Sequence, residues 1–95
     1  MSKIEMQNVN HPEKTYAGDA DMYNAMRHAV LKVLPKTPPG MTLEELKCAV
    51  LPHLPESLFL GGAKAGWWIK AVQLDLEAKK VIAREHISPL RLRKI

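Results

Sequence analysis

The chain has 95 residues, which suits one domain with one small core. Its apolar fraction of 46% and charged fraction of 25% are those of a folded protein and exclude a disordered or low-complexity chain. Cys48 is the single cysteine, so an internal disulfide and a thiol-only metal site are excluded. No apolar run nears the roughly 18 residues of a membrane span, and Met1 to Asn8 carry no signal-peptide core. The expectation is a cytoplasmic protein without a membrane partner. Net charge is +4, unevenly spread: residues 1–60 hold six basic and seven acidic side chains, residues 61–95 eight and three. A basic C-terminal third favours an anionic partner, nucleic acid first, against the plain reading of a merely solubilising charge.

Residues 1–18 alternate apolar and polar positions at Ile4, Met6 and Val9, with a turn at His11-Pro12-Glu13-Lys14. This predicts a hairpin or extended arm that packs on the body or crosses to a second subunit. Residues 19–95 form the domain proper. Asp19 is a good N-cap for a first helix over 20–34, with Asp21 in its first turn and Tyr23, Met26, Val30 and Val33 on one stripe. Pro35 stops it, and Lys36-Thr37-Pro38-Pro39-Gly40 is a stiff connector with a short extended piece at Gly40-Met41.

Thr42 and Glu45 make a capping box, and Met41 and Leu46 the matching hydrophobic staple, so a second helix starts at Leu43 and ends near Leu51. Leu43, Leu46, Val50 and Ala49 point inward. Cys48 reads as a small buried residue. A turn over 55–60 tucks Leu58 or Phe59 into the core. A third helix follows over 63–79. Its stripe Ala65, Ile69, Val72, Leu76, with Trp68 at the edge, is core; Trp67, Ala71, Leu74 and Ala78 form a second apolar stripe. A helix apolar on two sides is either sandwiched in its own domain or shared with a partner. Lys70 and Glu77 on one flank, Lys64 and Asp75 on the other, are the polar remainder. Two strands close the chain, 81–86 and 90–95, joined by a turn at Ile87-Ser88-Pro89. Arg84, Arg91, Arg93 and Lys94 are expected on one basic side of this hairpin.

That order of elements is the order of a winged helix-turn-helix domain, an α+β fold of three helices with a C-terminal β-hairpin wing. The stretch Leu76-Glu77-Ala78-Lys79-Lys80-Val81-Ile82-Ala83-Arg84-Glu85 resembles the end of the recognition helix and the first wing strand of bacterial winged-helix regulators. Met41-Thr42-Leu43-Glu44-Glu45-Leu46 resembles the start of that family's second helix. The likeness covers about residues 20–95. Two positions depart from it: Lys80 stands where the family usually has glycine, and Leu74 and Trp67 stand where a DNA-reading helix shows polar side chains. The Gly-Trp-Trp and Leu-Asp-Leu-Glu-Ala elements also resemble a family of small bacterial proteins of unknown function, a likeness that implies no activity.

Two functional readings follow, both non-enzymatic and without cofactor. In the first, a transcription-regulator-like module binds double-stranded DNA, with Lys64, Lys70, Arg84, Arg91, Arg93 and Lys94 on phosphates and Gln73 on a base edge if it turns outward. The glycine-rich run Gly61 to Gly66 then offers backbone N–H groups to one phosphate; its plain reading is a turn between helices. In the second reading, Trp67, Ala71 and Leu74 form a dimer or partner interface without DNA, since buried tryptophans dominate interface energies. No zinc-type spacing joins His11, His28, His53 and His86. Asp75 and Glu77 point to different sides of the helix and are no catalytic pair. Ser57 and Ser88 lack a nucleophile's surroundings.

Overall fold

The structure, a computed structural model, describes residues 3–87 and 89–95; Met1, Ser2 and the Ser88 of the expected turn lie outside the described residues. Over the described residues it is α+β, with three α-helices and two small antiparallel sheets. Strand β1 spans Lys3–Gln7 and β2 Thr15–Asp19; α1 spans Ala20–Val33, β3 Met41–Thr42, α2 Leu43–Val50, α3 Ala65–Ala78, β4 Ile82–Glu85 and β5 Arg91–Lys94.

The N-terminal segment is a hairpin. Met6 pairs with Tyr16 and Ile4 with Gly18, so alternation points all four toward the body. Met6 joins the core beside Trp68. Gly18 lets the sheet sit this low: a Cβ there would lie 2.6 Å from Met6 Cε and 3.0 Å from the Trp68 ring. Asp19 ends the hairpin and begins α1, its side chain accepting the Met22 N–H at 3.0 Å. Pro35 follows the last residues of α1, and its carbonyl, which no helical N–H can claim, accepts the Lys94 N–H at 2.8 Å.

The second sheet has the order β3-β5-β4. Gly40 enters it at φ +81° with Leu92 O only 2.1 Å from where a Cβ would sit, so both conformation and contact demand glycine. The capping box forms as expected: Thr42 Oγ1 accepts the Glu45 N–H at 3.1 Å, and Glu45 Oε1 accepts the Thr42 N–H at 2.9 Å. Between α2 and α3 the chain makes short 3-10 turns at Leu51–His53 and Leu60–Gly62, and Phe59 is buried between them.

Helix α3 is shorter than its pattern suggested because the run before it is left-handed. Gly61, Gly62 and Lys64 have φ of 60°, 79° and 65°, and Ala63 between them is extended. Lys64 is the N-cap and contributes no side-chain hydrogen bond. At the other end Lys80, at φ 62°, takes the left-handed conformation usually given to glycine. Its N–H bonds Glu77 O and the Val81 N–H bonds Leu76 O, a Schellman motif. Ala65, Trp68, Ile69, Val72 and Leu76 are all buried, as the stripe implied. Cys48 corrects the sequence reading. It lies exposed on the outer face of α2 between Lys47 and the half-buried Ala49, because Leu46 and Val50 take the inward positions.

Two stability predictions follow. Lys80→Gly relieves the left-handed strain and raises stability by about 1 kcal/mol, which calorimetry should register as a Tm gain of about 4–8 °C. Hydrogen bonds from Thr42, with Arg91 Nη1 at 3.7 Å, hold the Glu45 carboxyl below its ordinary 4.5. Glu45→Gln keeps the cap acceptor and loses the charge. Its stability deficit should therefore be full above pH 4.5 and vanish as pH falls through the lowered value, read from urea midpoints across pH 3–7.

Candidate functional site

Helix α3 carries both apolar stripes, and only one is covered by the core. On the other, Trp67 is 60% exposed, and Ala71 and Leu74 are half-buried. The Trp67 ring meets Trp68 edge-on, centroids 5.0 Å apart at 80°. A buried tryptophan thus props an exposed one. Beside it the hairpin overhangs the helix and makes a groove of about 190 Å³, lined by Met6, Gln7, Asn8, Tyr16, Trp67, Lys70, Ala71 and Leu74. Tyr16 stands over it 45% exposed. The structure therefore brings Trp67, Ala71 and Leu74 together and adds Met6 and Tyr16, which the sequence reading had left in an unassigned arm.

Further along α3 its carboxylates turn inward, which corrects their placement on the helix's wet flanks. Asp75 is fully buried. It accepts the Gln7 N–H at 2.8 Å, the Tyr23 hydroxyl in a short hydrogen bond, and the Lys79 ammonium at 3.0 Å. Burial pushes the Tyr23 phenol above its ordinary 10.0, and the Asp75 hydrogen bond pushes it further. Partial burial opposes the Lys79 charge, but the Asp75 carboxylate outweighs it and raises that group above 10.5. The Lys79 Nζ also lies 5.5 Å from the Tyr23 ring centre. Glu77 is buried as well. It accepts Arg84 Nε at 2.7 Å and Arg84 Nη2 at 2.9 Å, a bidentate pair, and Gln73 Nε2 at 2.6 Å. The i,i+4 spacings of Asp75 with Lys79 and of Gln73 with Glu77 were the sequence signals for these pairs.

The same pairs redistribute the expected cations. Gln73 does not turn outward; it is fully buried, with Oε1 unpartnered among the described residues. Nor do the four hairpin cations share a side. The register Ile82–Lys94, Arg84–Leu92 puts Arg84 and Lys94 on the face of the buried Ile82 and Leu92, and Arg91 and Arg93 on the other. Arg84 is held by Glu77, Arg93 Nε by Glu85 at 2.9 Å, and Arg91 Nη1 by Gly40 O at 3.0 Å. Lys64 and Lys70 stay exposed on α3. Among the described residues, no three His, Cys, Asp or Glu side chains converge as a metal ion would need, and no helix is long and apolar enough to cross a membrane.

Comparison with known proteins places residues 3–92 under a family described as a family of unknown function (DUF6958). The chain belongs to that family, as the Gly-Trp-Trp and Leu-Asp-Leu-Glu-Ala resemblance implied in kind. No curated protein and no solved structure matches it.

The Asp75 cluster gives a direct test of what holds the groove's roof to its floor. Asp75→Asn should cost about 2–4 kcal/mol and Tyr23→Phe about 1–3 kcal/mol. The double mutant should fall short of the sum by more than about 0.5 kcal/mol. Additive losses in urea unfolding would mean that the two side chains do not act as a pair.

Proposed function

We propose that this protein is a winged-helix interaction module, non-enzymatic, that docks a protein partner through Trp67, Ala71 and Leu74. The observation that carries the reading is the groove itself: an exposed tryptophan braced by a buried one, beside half-buried apolar side chains, with an overhanging tyrosine. Such an anchor, desolvated at the centre of an interface, is where binding energy concentrates. The order of three helices followed by a hairpin, with β3 added to β5, supports the winged-helix assignment. The DNA-binding reading gains less from the geometry. Arg84, Arg91 and Arg93 already have acceptors within the chain, and Gln73 faces inward. A phosphate would have to compete for those arginines, and a base contact would need another residue.

One pair of measurements separates the readings. A photo-crosslinking amino acid at position 67 should trap a protein in cells of the native host, and the same group at the exposed His53 should not. A labelled mixed-sequence duplex should show no micromolar binding at 50 mM salt. Duplex binding that weakens with salt at a log–log slope of about −0.9 per contact, and is lost in Arg91→Ala/Arg93→Ala, would replace the interaction module by the DNA-binding one.

A further inference from the structure

The groove has a character beyond its apolarity. Helix α3 has only two carboxylates, Asp75 and Glu77, and both are buried in internal pairs. What the helix shows to solvent around Trp67 is Lys64, one turn before it, and Lys70, in the groove wall. The hairpin's strands add no acid to this side, and Glu13, in the turn between them, is not among the groove's lining residues. Glu5 and Asp19 lie at positions that alternate with Ile4, Met6, Tyr16 and Gly18, and so belong to the sheet's other face. The site is an apolar slot whose one charged lining residue is Lys70, with Lys64 exposed one turn before Trp67. Its volume of about 190 Å³ is below the range of roughly 300–1,000 Å³ for small-molecule pockets and suits one or two large side chains.

The second element is the edge of β2. The Gln7 N–H is given to Asp75, away from β2, so Gln7 and Thr15 form a non-hydrogen-bonded pair. Alternation makes Glu5 and Ala17 another. Thr15 and Ala17 therefore turn their own N–H and C=O groups to the outer edge of β2. Both residues are exposed, and among the described residues no strand pairs there. Tyr16, between them, lines the groove. An extended chain laid on that edge would find main-chain partners beside a slot for one of its side chains, the arrangement by which strand addition combines affinity with specificity.

Building on the interaction reading, we propose that the occupant is an acidic, extended peptide segment of another protein, which pairs with the β2 edge, buries one large apolar side chain against Trp67 and Leu74, and sets carboxylates near Lys64 and Lys70. A second copy fits less well. A twofold contact uses the same patch on both chains and brings lysines toward lysines, in a protein of net charge +4.

The test is selection of random ten-residue peptides displayed on phage, on the wild-type protein with counter-selection on Trp67→Ser, together with sedimentation of the free protein. Enriched peptides should be net negative around one large apolar residue. Affinity of a synthesised winner should fall at least about 30-fold in Trp67→Ser. It should fall about tenfold in Lys64→Glu/Lys70→Glu at low salt, and by a similar factor when alternate peptide amides are N-methylated. The last measurement leaves the protein untouched, so it stands even if an edge variant such as Ala17→Pro fails to fold. Trp67-dependent winners that are neutral or basic, or that tolerate N-methylation, would overturn the acidic extended occupant and leave the interaction reading in place. So would a wild-type dimer that Trp67→Ser dissociates. A monomer that enriches no Trp67-dependent peptide would overturn both.

Discussion

The carboxylate of Asp75 is the point through which the parts of this fold are joined. It is removed from water, yet it takes a backbone N–H from β1, a hydroxyl from α1 and an ammonium from its own helix. An ionised carboxylate in that position is tolerable only because its partners converge; with fewer, desolvation would dominate. The hairpin is therefore docked by more than apolar contact. Met6 and Gly18 set its height over Trp68, and Asp75 sets its position along α3. That position leaves a gap over Trp67 and Leu74 where closer docking would have filled it.

Glu77 performs the parallel task two residues on, joining α3 to β4 through Arg84. Together the two acids explain why α3 looks amphipathic in an unusual way. Its acids serve the interior, Lys70 the surface, and its second apolar stripe is only partly covered. The arrangement also explains the hairpin's electrostatics: cations that are numerous in the sequence are mostly matched at short range by Glu77, Glu85 and Glu45. Formal net charge overstates the free positive charge that the C-terminal hairpin offers.

Much of the fold was legible because it rests on local rules. The Thr42–Glu45 capping box, the Asp19 cap, the Pro35 stop and the 3.6-residue stripe of α3 each depend on neighbours within a few positions, and each appears in the structure. What stayed hidden depends on partners far along the chain. Asp75 and Glu77 occupy positions that periodicity assigns to flanks, and burial there becomes acceptable only when the distant Tyr23, Gln7 and Arg84 join the local Lys79 and Gln73. The face carrying Arg84 was unreadable without the register that pairs it with Leu92. Cys48 was misplaced because Leu46 and Val50 suffice to fill the inner side of α2. In the candidate site, the Trp67–Leu74 stripe was visible in the sequence, but its tyrosine wall was not. Tyr16 reaches it only through the hairpin's docking.

The Gln7–Asp75 hydrogen bond spans 68 positions of sequence, and this has a consequence for how the protein comes to be folded. During synthesis the hairpin emerges well before its clamp: at roughly 5–20 residues per second, Asp75 follows Gln7 by about 3–14 s. Over that interval Ile4, Met6 and Tyr16 lack α3 to lie on, and both edges of a two-stranded ribbon are open. An isolated ribbon of this size is marginal in water. The nascent chain therefore carries its least self-sufficient element until α3 emerges, and the β1–β2 hairpin is a segment that a ribosome-associated chaperone would meet unprotected.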